Sequence, residues 1–214
     1  MEQIGRNLLK QFVYMDEKLN LFAADGSFEI PLSITAAKLF SPVLKAALES
    51  PLAAITNNEE REDKRDDRAV TKKVKHNVYS SGSLRRVEVK GFNTQTVQCF
   101  IRSLQGQLDD QEVKTFNWKQ SISLLKMFHF YDVENMYETV LQHATSLIQQ
   151  NNVVEAVEYM ETFGFIKQWC DKIVNNLQSY RAILQTQDWK DSILKYPVTQ
   201  SQVQSRFLQV LGYG

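Results

Sequence analysis

Apolar residues in this chain recur with two different periods, and the change between them constrains the fold more than any other feature. Near the start they alternate: Lys18-Leu19-Asn20-Leu21-Phe22-Ala23 places apolar residues at every second position. Asp25-Gly26 then offers a tight turn, and Phe28-Glu29-Ile30-Pro31-Leu32 alternates again, so a β-hairpin is expected here. After Ser80-Ser81-Gly82-Ser83, the residues Leu84, Val87 and Val89 stand among Arg85, Arg86, Glu88 and Lys90. That pattern suggests one further strand, ended by Gly91.

Elsewhere the spacing is three and four residues, the period of a helix with one buried face. Ala36, Leu39, Phe40, Val43, Leu44, Ala47 and Leu48 form such a stripe after Ser33-Ile34-Thr35. It is divided or kinked near Ser41-Pro42, because proline has no N–H to give to a helix interior. Asn93 or Thr94 can cap a helix carrying Val97, Phe100, Ile101 and Leu104, with Gly106 to stop it. A polar connection from Asp109 to Phe116, with a short strand at Val113-Lys114-Thr115-Phe116, leads to helices from about Trp118 to Phe128 and from about Val133 to Ile148. Val153, Val154, Val157 and Met160 mark another helix, which breaks at Phe163-Gly164-Phe165. Ile166, Trp169, Cys170, Ile173, Val174 and Leu177 follow, and paired short helices of this kind pack as antiparallel hairpins. One or two more helices are expected in the last segment, with Trp189, Ile193 and Leu194 before a break at Pro197, then Val203, Phe207, Leu208 and Val210. The whole reads as an α+β chain.

Composition narrows the function. With 214 residues and 43% hydrophobic content the chain can bury a core unaided. Lys plus Arg equals Asp plus Glu at 25 each, so there is no field of one sign to gather nucleic acid or an anionic membrane. Charge is concentrated between Asn57 and His76, where Glu59 to Arg68 includes no apolar residue and Lys72, Lys73 and Lys75 follow. Such a tract cannot offset its chain entropy by burial, and a flexible, charge-balanced loop or docking tail is expected. Its Arg61, Arg65 and Arg68 alternate with acids and bring no aromatic ring for base stacking. Its acidic pairs Glu59-Glu60 and Asp66-Asp67 have no apolar frame and are read as solvated.

Catalysis needs a nucleophile, a base or a metal converging in a cleft, and the sequence offers no such set. His76, His129 and His143 lie far apart, and Cys-x-x-Cys, His-Glu-x-x-His and Gly-rich phosphate loops do not occur. The expectation is a non-enzyme with no cofactor and no metal. Cys99 and Cys170 sit inside apolar helical patterns, as reduced thiols do. The N-terminus lacks the basic-then-apolar order of a signal peptide, and no apolar run approaches the roughly 18 residues of a membrane span. Cytoplasm or nucleus is the expected location.

A hairpin ending in Phe28-Glu29-Ile30-Pro31, a helix containing Ala36 to Leu48 with Ser41-Pro42-Val43-Leu44, a late strand and then helical hairpins together resemble the BTB/POZ fold. The run from Ile122 to Met136, with Phe130-Tyr131-Asp132 at its turn, is similar to that family's leucine-rich helix, tyrosine turn and following helix. Asn151-Asn152-Val153-Val154 and Phe163-Gly164 look like the start of its helical extension. The resemblance covers roughly residues 16 to 178. It implies a BTB/POZ-like small sheet covered by helical hairpins over residues 1–150, including the insert 57–76, and a helical extension over 151–214.

The function the resemblance implies is a protein-interaction adaptor, self-associating as a homodimer and recruiting a client protein to a cullin-type ubiquitin ligase. The protein-binding residues it implies are Leu44, Leu48 and Glu49, with Phe116, Phe128 and Tyr131 on the later helices. Two departures stand against the cullin contact. Pro31-Leu32-Ser33 occupy the place of the family's usual histidine, and Leu48-Glu49-Ser50 has the apolar-x-Glu element with its members out of order. A homodimeric scaffold without cullin is the alternative, and an enzyme of unknown type a third.

Overall fold

The computed structural model describes residues 16–49, 78–81, 84–164, 166–175 and 185–210. The charged tract expected at 57–76 lies outside these, as do His76 and Leu177. The architecture is α+β, a small mixed sheet with helices. The chain divides into two compact units, residues 1–112 with 123–137 and residues 113–122 with 138–214. The second unit thus begins before residue 151, because residues 113–122 and the helix after residue 137 cluster with the C-terminal helices.

In the first unit the hairpin forms as its alternation dictates. Strand β1 (Lys18–Phe22) pairs antiparallel with β2 (Glu29–Ser33), Leu19 opposite Leu32 and Leu21 opposite Ile30. The Asp25 carboxylate accepts from the Ser27 N–H at 2.9 Å and Gly26 takes φ +74°, a left-handed position suited to a residue without Cβ. Two helices follow, α1 (Ile34–Phe40) and α2 (Pro42–Glu49), divided at Ser41 as the proline requires. Strands β3 (Val78–Ser81) and β4 (Leu84–Glu88) complete the sheet in the order β2-β1-β4-β3. Strand β4 lies parallel to β1, with Val87 beside Leu21. The sheet's inner residues Leu19, Leu21, Leu32 and Val87 are fully buried. Strand β3 is one more than the single late strand the sequence suggests: it lies before Leu84, with Ser80 and Ser81 paired to Arg85 and Leu84.

Helix α3 (Thr94–Leu104) is capped by Asn93, whose side-chain oxygen accepts from the Thr96 N–H at 2.8 Å, and ends near Gly106 at φ +66°. The strand expected at Val113–Phe116 is absent among the described residues. A single helical turn, α4 (Asp110–Val113), stands there instead. Asp109 starts the turn by accepting from the Glu112 N–H at 2.8 Å, and Arg102 clamps the Glu112 carboxylate with two N–H groups.

Helix α5 (Trp118–Phe130) begins with a reciprocal cap in which Asn117 accepts from the Gln120 N–H at 3.0 Å and Gln120 accepts from the Asn117 N–H at 2.9 Å. Its C-terminus is a Schellman turn. The Val133 N–H bonds to the Phe128 carbonyl at 2.8 Å and the Asp132 N–H to the His129 carbonyl at 3.2 Å, with Asp132 left-handed at φ +52°. Met136 is also left-handed, at φ +64°. The expected helix from Val133 is therefore postponed: α6 runs Tyr137–Ser146.

The second unit is helical. After a 3-10 turn (Gln150–Asn152) come α7 (Val153–Phe163), α8 (Lys167–Asn175), α9 (Gln187–Lys195) and α10 (Pro197–Val210). The break between α7 and α8 falls at Gly164, as the sequence indicates. Trp169 and Tyr159 are buried with ring centroids 5.1 Å apart, and the Trp169 indole N–H donates to Thr145 Oγ1 at 2.9 Å. Glu161 on α7 accepts from the Thr199 N–H at 2.8 Å, capping the start of α10 with a carboxylate.

Two stability changes follow. Ser41→Ala strips a cap from α2 and a donor from a buried carbonyl of Tyr131, and is expected to cost about 2–3 kcal/mol in urea unfolding. Asp132→Gly should gain about 0.5–1 kcal/mol and Asp132→Val should lose stability, because the turn requires positive φ.

Candidate protein-binding site

Helix α2 is amphipathic. Leu44 and Leu48 are buried, while Lys45, Ala46 and Glu49 face solvent. Glu49 lies 3.8 Å from the Lys38 ammonium on α1, with both side chains well exposed. A pair so solvated contributes about 0–1 kcal/mol and leaves both charges available to a partner.

The start of α2 is tied to the end of α5. The Ser41 hydroxyl accepts from the Leu44 N–H at 3.1 Å and donates to the Tyr131 carbonyl at 2.6 Å, across 90 residues of sequence. Beneath that bond lies an aromatic group in which the Phe100 ring is 6.0 Å from Phe128 and 5.1 Å from Tyr131, centroid to centroid. Phe128 and Tyr131 are both buried, and burial pushes the Tyr131 phenol well above its ordinary pKa. In the second unit Phe116 is also buried, with its carbonyl 2.8 Å from His143 Nε2, which places the imidazole proton on that nitrogen.

Of the six side chains expected to meet a partner, five are thus interior: Leu44, Leu48, Phe116, Phe128 and Tyr131. Glu49 is the exposed member. The apolar spacing that marks these residues is the signature of core, and it does not by itself distinguish a docking anchor.

The apolar side chains that do reach solvent are different ones. Leu39 (62% exposed) and Phe130 (38%) belong to the first unit, and Leu194 (87%) and Val198 (62%) to the second. Spacing alone assigns Leu39 and Leu194 to apolar stripes. For Leu194 the signal against that was present: five residues after Trp189 is about 140° around a helix, away from the buried face. Phe130 makes an edge-to-face contact with Phe92 at 5.8 Å.

Of the groups screened for chemistry, His129 is exposed and His143 is bonded as above. Among the described residues no three His, Cys, Asp or Glu side chains gather as metal ligands, and no helix is long and apolar enough to cross a membrane. Both cysteines are free thiols. Cys99 is half-buried and Cys170 buried. Burial, with a smaller contribution from Asp171, pushes the Cys170 thiol up to about 11. A scan of the sequence against protein-family models finds no match, and a search of curated proteins finds none either.

The Cys170 thiol gives a pH dependence. Its folded pKa lies above the unfolded value of about 8.5, so its contribution to stability is complete below that value and declines as the pH rises through about 11. Denaturation of Cys170→Ala across this range should show a shallower alkaline loss than the unaltered chain, and equal slopes would refute the assignment.

Proposed function

We propose that this chain is a BTB/POZ-like protein-interaction module that self-associates and recruits a client protein to a cullin-type ubiquitin ligase. The observation that carries the reading is the order of elements: a hairpin, a helix pair divided at Ser41-Pro42, and a late strand joined to the hairpin sheet, followed by helices whose turn falls at Tyr131. This is the order on which the resemblance rests. Exposed charge on α2 at Lys45 and Glu49, next to exposed Leu39 on α1, supplies a mixed surface of the kind that meets another polypeptide. Two free thiols, one of them buried, suit the reducing cytoplasm or nucleus.

A second reading, a homodimeric scaffold or regulatory module without a cullin contact, is favoured by the burial of five of the six side chains assigned to the cullin face. Co-precipitation of the full chain with a purified cullin, alongside light scattering, separates the two. The first reading expects a dimer that retains cullin and releases it when Lys45→Glu and Glu49→Arg are combined. A dimer indifferent to cullin supports the scaffold, and a monomer that binds no cullin defeats both. Phe128→Asp is unsuitable for this purpose, since its wholly buried side chain would take the fold with it.

A further inference from the structure

Helices α8 and α10 of the second unit pack against each other and leave an open groove of about 550 Å³ between them. One wall is formed by Lys167 and Asp171, a turn apart on α8. The other is formed on α10 by Ser201, Ser205 and Gln209, which recur every four residues, and by Arg206 beside them. Side chains at this spacing share a helix face, so each wall presents its polar groups in one direction. The volume lies within the roughly 300–1,000 Å³ of ligand sites.

Arg206 bridges the walls. Its Nε–H donates to Asp171 Oδ1 at 2.7 Å and an Nη1–H donates to Gln209 Oε1 at 3.2 Å. Those bonds leave most of the guanidinium N–H groups unused, and Nη2 makes no hydrogen bond among the described residues. Lys167 is exposed and forms no ion pair among the described residues, and the Ser201 and Ser205 hydroxyls make no hydrogen bond among them. Asp171 balances one of the two cations, so the lining carries one net positive charge and more donors than acceptors.

We propose that this groove binds a phosphomonoester, held by the Lys167 ammonium from one wall and by Arg206 Nη2 and the Ser201 and Ser205 hydroxyls from the other. An acceptor-only group matches a donor-rich lining. Three terminal oxygens carrying a charge of about −1.5 to −2 at pH 7 can be met from both walls at once. A carboxylate has a single charge and fewer oxygens and engages fewer of these donors, and a cation is repelled by the unbalanced positive charge. The same chemistry is carried by a phosphorylated polypeptide and by a free phosphate ester. The groove lies wholly within the second unit and stands whether or not the chain meets a cullin.

Calorimetric titration of the full chain at constant ionic strength tests this, with acetyl-alanyl-phosphoseryl-alanine amide, its unphosphorylated and glutamyl counterparts, and inorganic phosphate as probes. Saturable binding of a phosphate-bearing probe is expected, with the other two peptides at least about tenfold weaker. A phosphopeptide that binds more tightly than inorganic phosphate points to a polypeptide source, and one that binds equally or less tightly points to a free ester. Lys167→Gln, which has no internal bond to lose, should weaken binding by about tenfold or more. The double variant Ser201→Ala with Ser205→Ala keeps every charge and places better helix formers in α10, and should weaken binding about threefold to tenfold. Unchanged affinity in the double variant reveals a general attraction to positive charge and overturns the site, as does unchanged affinity in Lys167→Gln. A glutamyl peptide that binds as tightly as the phosphopeptide overturns the choice of phosphate, and the absence of saturable binding by any probe overturns the proposal outright.

Discussion

The first unit is organised by the parallel pairing of β1 with β4. An antiparallel partner can be reached through a tight turn, as β2 reaches β1 at Asp25-Gly26, but a parallel one requires the chain to travel back to the starting end of the sheet. That return begins with α1 and α2. Because β1 is hydrogen-bonded on both sides, Leu19 and Leu21 are fully buried and the inner face needs a cover. The small residues Ala36 and Ala37, both buried on α1, let that helix come close to β2.

A second constraint joins this crossover to the helices that follow it. The Ser41 hydroxyl is fully buried, yet it is satisfied in both directions, by the Leu44 N–H and the Tyr131 carbonyl. The carbonyl it meets belongs to the turn that Asp132 closes in a left-handed conformation. One polar side chain thus fixes where α2 starts relative to where α5 ends, and the Phe100, Phe128 and Tyr131 rings fill the space below. Buried polar groups of this kind add directional demands that apolar packing lacks.

Among the described residues β2 is an edge of the sheet, and there Pro31 withholds an N–H where another residue would offer one to an incoming strand. An added strand would lose one rung there.

Much of this was legible in the residues alone, because period and capping are local properties. The hairpin, the division at Ser41-Pro42, the caps at Asn93 and Gly106 and the break at Gly164 follow from side chains within four residues of each event. What the tertiary structure decided depends on groups far apart in the chain. Strand β3 gains its identity from pairing with β4, and α4 forms where Arg102 reaches across to hold Glu112. The helix after Asp132 starts late because two left-handed residues bend the chain. The same holds at the candidate site. Spacing placed Leu44, Leu48, Phe128 and Tyr131 on apolar faces, but whether such a face meets the protein's own interior or another molecule is a matter of what packs against it. For those four the cover is already within the chain, and for Leu39 and Leu194 the described residues provide none. A single residue's neighbours in sequence fix its local geometry, while its burial is set by elements that the local pattern does not contain.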